Sequence, residues 1–445
     1  MPPTQADSVN STSPPALSPL RILLAAIGPG ILLAAAAIGV SHLVQATRAG
    51  AGFGFAMIPV LLLACITKYP FLEFGPRYAA STGQDLVEGY RKLGPWAVWI
   101  CAALTFGSMF IIMAALTVVT AAIAQFLLTL YLPDLRVIPP AGWSAIIIAL
   151  CLALLLIGRY RALERTMKLV MALLLLSTIA AVAIALFNPA PIPSAQATAS
   201  MDTAPWWGAA NFAFLLAFMG WMPIPIDSAI WNSIWVQEHA RTHNRPPDLR
   251  ATILDFRLGY TLAAVVAVLF LALGALVMRG RVTELADGAG FVQQLIGTYA
   301  ETLGRWSIPV IAIAALTTML STTLVVLDAF PRAMHRLTQA IRNIDPTPNH
   351  QNNHQRSGNA GWGIAQAIVA MGIILFSLQS MKTMVDLATT LSFLTAPVLA
   401  TINYLVITHH APPHARPGKA MRWLSIVSIV FLALFSTAYL FWRFA

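Results

Sequence analysis

A few polar residues stand inside stretches that otherwise read as hydrocarbon. In GPGILLAAAAIGVSHLVQATRAG, Gly39, Ser41 and His42 interrupt an apolar run. In FAFLLAFMGWMPIPIDSAIWNSIW, Met222 is followed by Pro223 and Pro225, and Asp227 lies two residues further on. Polar and ionisable groups at membrane depth are expensive and mark pathways or sites by default. Imidazole, thioether and carboxylate are ligands for transition metals, and imidazole also carries protons near neutral pH. Each residue also has a plainer role. His42 either lines a site or makes a structural hydrogen bond across the break, and Asp227 either serves the site, caps the helix that follows it or pairs with His42. Met222 has ordinary helix packing as its alternative.

The two stretches share a backbone property. Pro223 and Pro225 each lack an N–H and clash with the preceding turn, so the helix carrying them must unwind, and Gly220 loosens it just before. A helix unwinds in a bilayer only where its freed carbonyls face protein, water or a ligand. The remaining charges in apolar runs have local explanations. Glu73 and Arg77 are spaced i,i+4 for an ion pair, Lys68 has a stem long enough to snorkel, and Asp328 is spaced to pair with Arg332. Asp328, and Asp386 close to the start of a later run, are candidates for a gate or proton path.

The elements that position these residues follow from composition. Of 445 residues, 58% are hydrophobic and 10% charged, against roughly 25% charged in soluble domains. The chain reads as an all-α integral membrane protein, since the apolar windows reach the roughly 20 residues of a spanning helix and lack the alternation of a barrel. Taking Pro, Gly and charge clusters as punctuation, eleven spans are expected at 24–46, 53–79, 97–130, 141–158, 163–187, 208–236, 252–278, 306–331, 362–380, 384–408 and 421–443. The breaks then fall in spans one and six. Residues 1–20, rich in Pro, Ser and Thr, read as a disordered tail with no signal peptide. Residues 21–410 read as a ten-span core and 411–445 as an added eleventh span.

Nineteen of the 27 basic residues fall on the side of the N-terminus if the spans alternate, which makes that side cytosolic and the C-terminus external. The net charge of +10 is scattered between spans and gives no nucleic-acid face. Cys65, Cys101 and Cys151 all lie in spans and read as packing residues. Ile341–Gly361 reads as a solvated cytosolic loop containing His350 and His354, and GFVQQLIGTYAETLGRW as an amphipathic helix on the outer surface. Trp206, Trp207 and Trp221 supply candidate interfacial anchors. No phosphate-binding G-x-x-x-x-G-K-[ST] and no H-E-x-x-H is present, which leaves neither an ATP-driven pump nor an enzyme supported. Broken helices at positions one and six are the pattern of a secondary transporter built from two inverted repeats of five helices, here about 21–190 and 205–410, with its site near the midplane.

The order of features resembles the Nramp family of divalent-metal transporters. The likeness runs from GPGILLAAAAIGVSHLVQATRAGAGFGFA and YAASTGQDLVEGYR through YRALERTMKLVMALL and Met222-Pro223 to TTMLSTTLVVLDAF and LATTLSFLTAPVLA. It implies the LeuT-type 5+5 inverted-repeat fold and proton-linked import of a divalent cation. It also places the family's Asp-Pro-Gly-Asn on Gly39-Val40-Ser41-His42, its Met-Pro-His on Met222-Pro223-Ile224 and its ligating carbonyl on Met219. The candidate site is therefore Gly39, Ser41, His42, Met219, Met222 and Asp227. The third span has none of the acidic residues that form a proton path in the family.

The leading expectation is an alternating-access transporter of a divalent metal such as Mn or Fe, with a proton as coupling ion and no resident cofactor, monomeric in the bilayer. The alternative keeps the fold and changes the cargo. Replacing the family's Asp with Gly39 opens space for a small, amino-acid-like organic solute, which helix ends can bind as readily as carbonyls bind a cation.

Overall fold

The computed structural model describes residues 28–157, 160–187, 208, 211–279, 286–344, 351–377 and 380–444. Span one is split into α1 (Pro29–Ala37), a π-type stretch (Ser41–Ala46) and α2 (Thr47–Phe53). Span two is α3 (Ile58–Thr82), which carries Pro70 and Pro76 inside it and stops at Gly83 in the left-handed conformation, φ 69°. A short α4 (Leu86–Leu93), capped by the Asp85 side chain, leads into α5 (Pro95–Tyr131). Then come α6 (Pro140–Ile157) and α7 (Tyr160–Phe187).

Span six is split as the prolines require, into α8 (Phe212–Trp221) and α9 (Ser228–His243). After it run α10 (Leu249–Leu273), α11 (Gly288–Leu303), α12 (Ser307–Ile341), α13 (Gln351–Ser377), α14 (Met381–His409) and α15 (Lys419–Phe444). The described residues contain no strand, and all eleven expected spans fall on helices.

Two boundaries differ from the hydropathy reading. α12 continues through Pro331 to Ile341, and α13 begins at Gln351, inside the stretch expected to be a loop. Hydropathy reports the thickness of hydrocarbon, and a helix can run on through polar residues beyond it. His350 lies outside the described residues, and so does the His354 side chain. α11 forms the expected helix and buries Phe291, Val292, Leu295 and Ile296 against its neighbours.

The half-helices are held by long neighbours: α1 packs on α10, α8 on α14 and α9 on α3. Glycine permits two of these contacts. A β-carbon at Gly220 would strike the Thr389 carbonyl of α14, and one at Gly75 would strike the Ala229 carbonyl of α9. Cys65, Cys101 and Cys151 are free and buried, as packing residues should be.

Candidate substrate site at the two helix breaks

Each break frees backbone groups, and their partners define the site. At the first, Gly39 N–H bonds the Ala37 carbonyl at 3.0 Å, and the Gly39 carbonyl accepts from the N–H groups of His42 and Leu43 at 3.1 and 2.9 Å. The carbonyls left behind by α1 receive a side chain from α12. Thr322 Oγ1 lies 3.0 Å from the Ala35 carbonyl and 3.1 Å from that of Ile38. Its side chain occupies the place where a β-carbon at Gly39 would go. Glycine at 39 is thus matched to a threonine at 322, which fills the volume a carboxylate there would need.

At the second break the physics is that of proline. The Met219 carbonyl would accept from residue 223, which is Pro and has no N–H. Met222 is extended, with ψ 123°, so the Gly220 carbonyl loses its partner too. Both are taken by Lys68 of α3, whose Nζ donates to Met219 O at 2.5 Å and to Gly220 O at 2.6 Å. Lys68 does not snorkel: its side chain is fully buried. The ammonium sits at the carbonyl end of α8, where the helix dipole favours a cation. Asp227 stands at the opposite, N–H end of the break, just before α9, and its Oδ1 is buried with no protein partner.

His42 turns toward α10. Its Nε2 lies 2.9 Å from the Ala263 carbonyl and its Nδ1 lies 2.7 Å from Ser41 Oγ, which is also 2.6 Å from the Ala37 carbonyl. A neutral ring donates from Nε2 to Ala263 and accepts the Ser41 proton at Nδ1. Satisfying all three contacts at once takes one more proton, because the hydroxyl has only one to give. His42 forms no hydrogen bond or ion pair with Asp227.

Between the breaks lies a small cavity of about 30 Å³. It is walled by Ala36, Ala37, Val40 and Ser41, by Ile112 and Leu116 of α5, and by Trp221, Pro223, Ile224, Pro225 and Trp231. Thr322 and Val326 of α12 complete it. None of these side chains is ionisable. Trp231 is 2% exposed, packs edge-on to Phe330 with ring centroids 4.7 Å apart, and leaves its Nε1–H without a partner. Of the six expected site residues only Ser41 lines this space. Gly39, His42, Met219, Met222 and Asp227 are buried around it, and among the described residues no three His, Cys, Asp or Glu side chains are grouped to hold a metal. Trp221 is no interfacial anchor: it is buried and donates to Ser392 Oγ at 2.8 Å. Trp206 and Trp207 lie outside the described residues.

The other expected charges bracket the site. Asp386 of α14 accepts from Arg48 Nη1 at 2.7 Å and from Gln45 Nε2 at 2.9 Å, and Arg48 also stacks 5.2 Å from the Phe214 ring centre. This joins α2, α14 and α8 at one end. At the other end Asp255 of α10 accepts from Gly28 N–H at 3.2 Å and Gly30 N–H at 2.6 Å, capping α1. Arg336 of α12 holds Asp85 at 2.7 Å and Glu88 at 3.3 Å. Glu73 takes Arg77, as its spacing implied, and adds Tyr69 and Arg257. Asp328 pairs with Arg332 at 2.7 Å.

Sequence reasoning missed Lys68, Thr322 and the Arg48–Asp386 pair. For Lys68 a signal existed, a lysine deep in an apolar span of a chain with a Pro-X-Pro break, but its partners lie 151 and 152 residues away.

An all-helical fold with helices long and apolar enough to cross a membrane, and with its first and sixth spans broken, is similar to that of LeuT-type transporters. Solved structures that share it include the following three. A mutant of the manganese transporter of Eremococcus coleocola matches with a TM-score of 0.65 at 17% identity, over 95% of this chain and 87% of that one. MhsT in complex with L-phenylalanine matches at 0.61 and 17%, over 94% and 98%. Mhp1, a nucleobase-cation-symport-1 family transporter in a closed conformation with bromovinylhydantoin bound, matches at 0.58 and 14%, over 93% and 92%. The family model for natural resistance-associated macrophage protein-like chains matches residues 30–442. The chain therefore belongs to the Nramp family of transporters, as the motifs implied. An uncharacterized protein of Pasteurella multocida (strain Pm70) is 34% identical to it over 420 residues, 94% of this chain and 92% of that protein.

Proposed function

We propose that this transporter moves a small organic solute of no net charge by alternating access around the two breaks. The observation that carries the reading is the wall of the central space. It presents apolar and aromatic surface, the side chains of Ser41 and Thr322, whose hydroxyls are engaged by helix carbonyls, and Trp231, whose indole N–H has no protein partner, but no carboxylate, imidazole or thioether. Desolvating a divalent ion calls for anionic or strongly dipolar ligands, whereas a wall of this chemistry suits an apolar body with a hydrogen-bond acceptor once the two breaks part to admit it. Arg48–Asp386 is the gate at the external end, and the Asp255 cap on α1 with the Arg336 cluster holds the cytosolic end shut. The sidedness follows the distribution of basic residues.

Family membership, and the manganese transporter that the chain resembles in fold, favour a second reading in which the cargo is a divalent transition metal. His42, Met222 and Asp227 would then have to leave their present environments and meet in one coordination shell.

Uptake into proteoliposomes separates the two. The solute reading expects ⁵⁴Mn²⁺ uptake no faster than in protein-free vesicles, together with saturable uptake of one member of a panel of neutral amino acids and nucleobases. Trp231→Phe should weaken that uptake about fivefold or more, the worth of a lost hydrogen bond. Saturable ⁵⁴Mn²⁺ uptake abolished by His42→Ala and Asp227→Ala would overturn the reading. Acidification inside the vesicles during uptake tests the proton as coupling ion.

A further inference from the structure

We propose that Lys68 is a resident cation: its ammonium stands where a bound cation would otherwise neutralise the break in the sixth span, and it makes the folded site independent of added metal or alkali ions. The inference rests on the solute reading and deepens it by stating what takes the cation's place.

Three observations converge on Lys68. The first is chemical. Two carbonyls from adjacent residues, Met219 and Gly220, point at one Nζ at 2.5 and 2.6 Å. Carbonyls of an unwound helix end are also what broken-helix transporters use to hold a coupling ion. The second is positional. Lys68 approaches the carbonyl end of α8, and Asp227 stands at the N–H end of α9, so each charge sits at the helix end whose dipole favours it. An amine and a carboxyl of the chain itself thus stand at the two ends of the break. The third is the depth of burial. A lysine with no exposed surface must find its hydrogen-bond acceptors inside the protein, and the Met219 and Gly220 carbonyls are the ones the chain supplies. The nearby carboxylate Glu73, one turn and a half along α3, is taken by Arg77 and Arg257 and does not compete for Lys68.

A resident cation and a neutral plug differ in what happens when the side chain is removed. Lys68→Ala leaves two carbonyls converging on a hollow of ammonium size. If the site requires a cation, a small one restores it, whereas carbonyls that need only to be covered gain nothing from salt. The test uses the full-length protein in detergent, with unfolding followed by tryptophan fluorescence in choline chloride and, at equal ionic strength, in sodium, potassium or methylammonium chloride. The wild type should have the same Tm in all four. Lys68→Ala should lose on the order of 5 °C or more in choline and regain most of it in methylammonium or sodium.

If Lys68→Ala cannot be purified folded, Lys68→Gln keeps an amide donor and serves in its place, with ²²Na⁺ binding by scintillation proximity as a second readout. Binding absent from the wild type and present in Lys68→Gln supports the inference. A Tm that falls and ignores every cation, or one that does not fall, overturns it, as does a Lys68→Gln protein that neither binds ²²Na⁺ nor responds to salt. Such outcomes leave the solute reading standing. Conversely, ⁵⁴Mn²⁺ uptake by the wild type overturns the solute reading whatever Lys68→Ala does.

Discussion

The two breaks solve one problem by different means. The first is opened at Gly39 and closed by a neutral hydroxyl, Thr322 Oγ1, shared between the Ala35 and Ile38 carbonyls. The second is opened by two prolines and closed by a charge, Lys68 Nζ, on the Met219 and Gly220 carbonyls. In both, the donor comes from an unbroken helix packed alongside. The difference lies in how much each donor must provide. At the first break the Gly39 carbonyl is already satisfied by the N–H groups of His42 and Leu43, and the Ala35 and Ile38 carbonyls share one hydroxyl proton with the Thr318 carbonyl of its own helix. At the second, proline has removed the N–H that would have served Met219, and an ammonium with three donors replaces it.

That contrast can be broken by substitution. The largest effect is expected from Lys68→Met, which keeps the length of the side chain and strips the donors from two buried carbonyls. At about 1–3 kcal/mol for each unsatisfied group, the loss should reach several kcal/mol in a denaturation series without added salt. Thr322→Val retains the shape and removes one hydroxyl, so it should cost about 1–2 kcal/mol in the same series. Equal losses from the two substitutions would dissolve the distinction between the breaks.

Gly39→Asp sharpens the comparison from the other side. Its β-carbon meets the Thr322 side chain, so the variant should be destabilised by about 1–3 kcal/mol of overpacking. It should not bind Mn²⁺ by calorimetry while Lys68 remains on the carbonyls.

Arg48→Gln is expected to change stability by less than about 1 kcal/mol, because Asp386 is more than a third exposed, at 37%. Its effect should show in access instead: a cysteine introduced at Ser41 should react faster with a membrane-impermeant thiol reagent when the Arg48–Asp386 contact is gone. Trp231→Phe should be the mildest for folding. The indole N–H has no protein partner to lose, so the Tm should hold while solute affinity falls.

Much of this architecture was written in local sequence. Pro223 and Pro225 dictate a break whatever surrounds them, and the apolar runs fix eleven spans because bilayer thickness sets their length. The family was legible too, since its motifs survive in order from Gly28-Pro29 to the tenth span. The partners were not. Lys68 and Met219, Thr322 and Ala35, and His42 and Ala263 are separated by 151, 287 and 221 residues, and no periodicity within a span reports which neighbour faces it. The ends of α12 and α13 were hidden for a different reason, as polar helical turns carry no hydropathy signal. Asp227 was read as a site residue on cost alone, and its buried, unpartnered Oδ1 keeps it beside the site without placing it in the wall.

Both breaks come down to one property: the chain's own donors occupy positions that a bound metal would otherwise take. Titration of Mn²⁺ into the purified wild-type protein, followed by calorimetry, tests it most directly. No saturable heat is expected from the wild type. A saturable, one-to-one heat in the wild type that disappears in Asp227→Ala would contradict the claim, because it would mean that a metal displaces Lys68 from the Met219 and Gly220 carbonyls or finds its ligands without them.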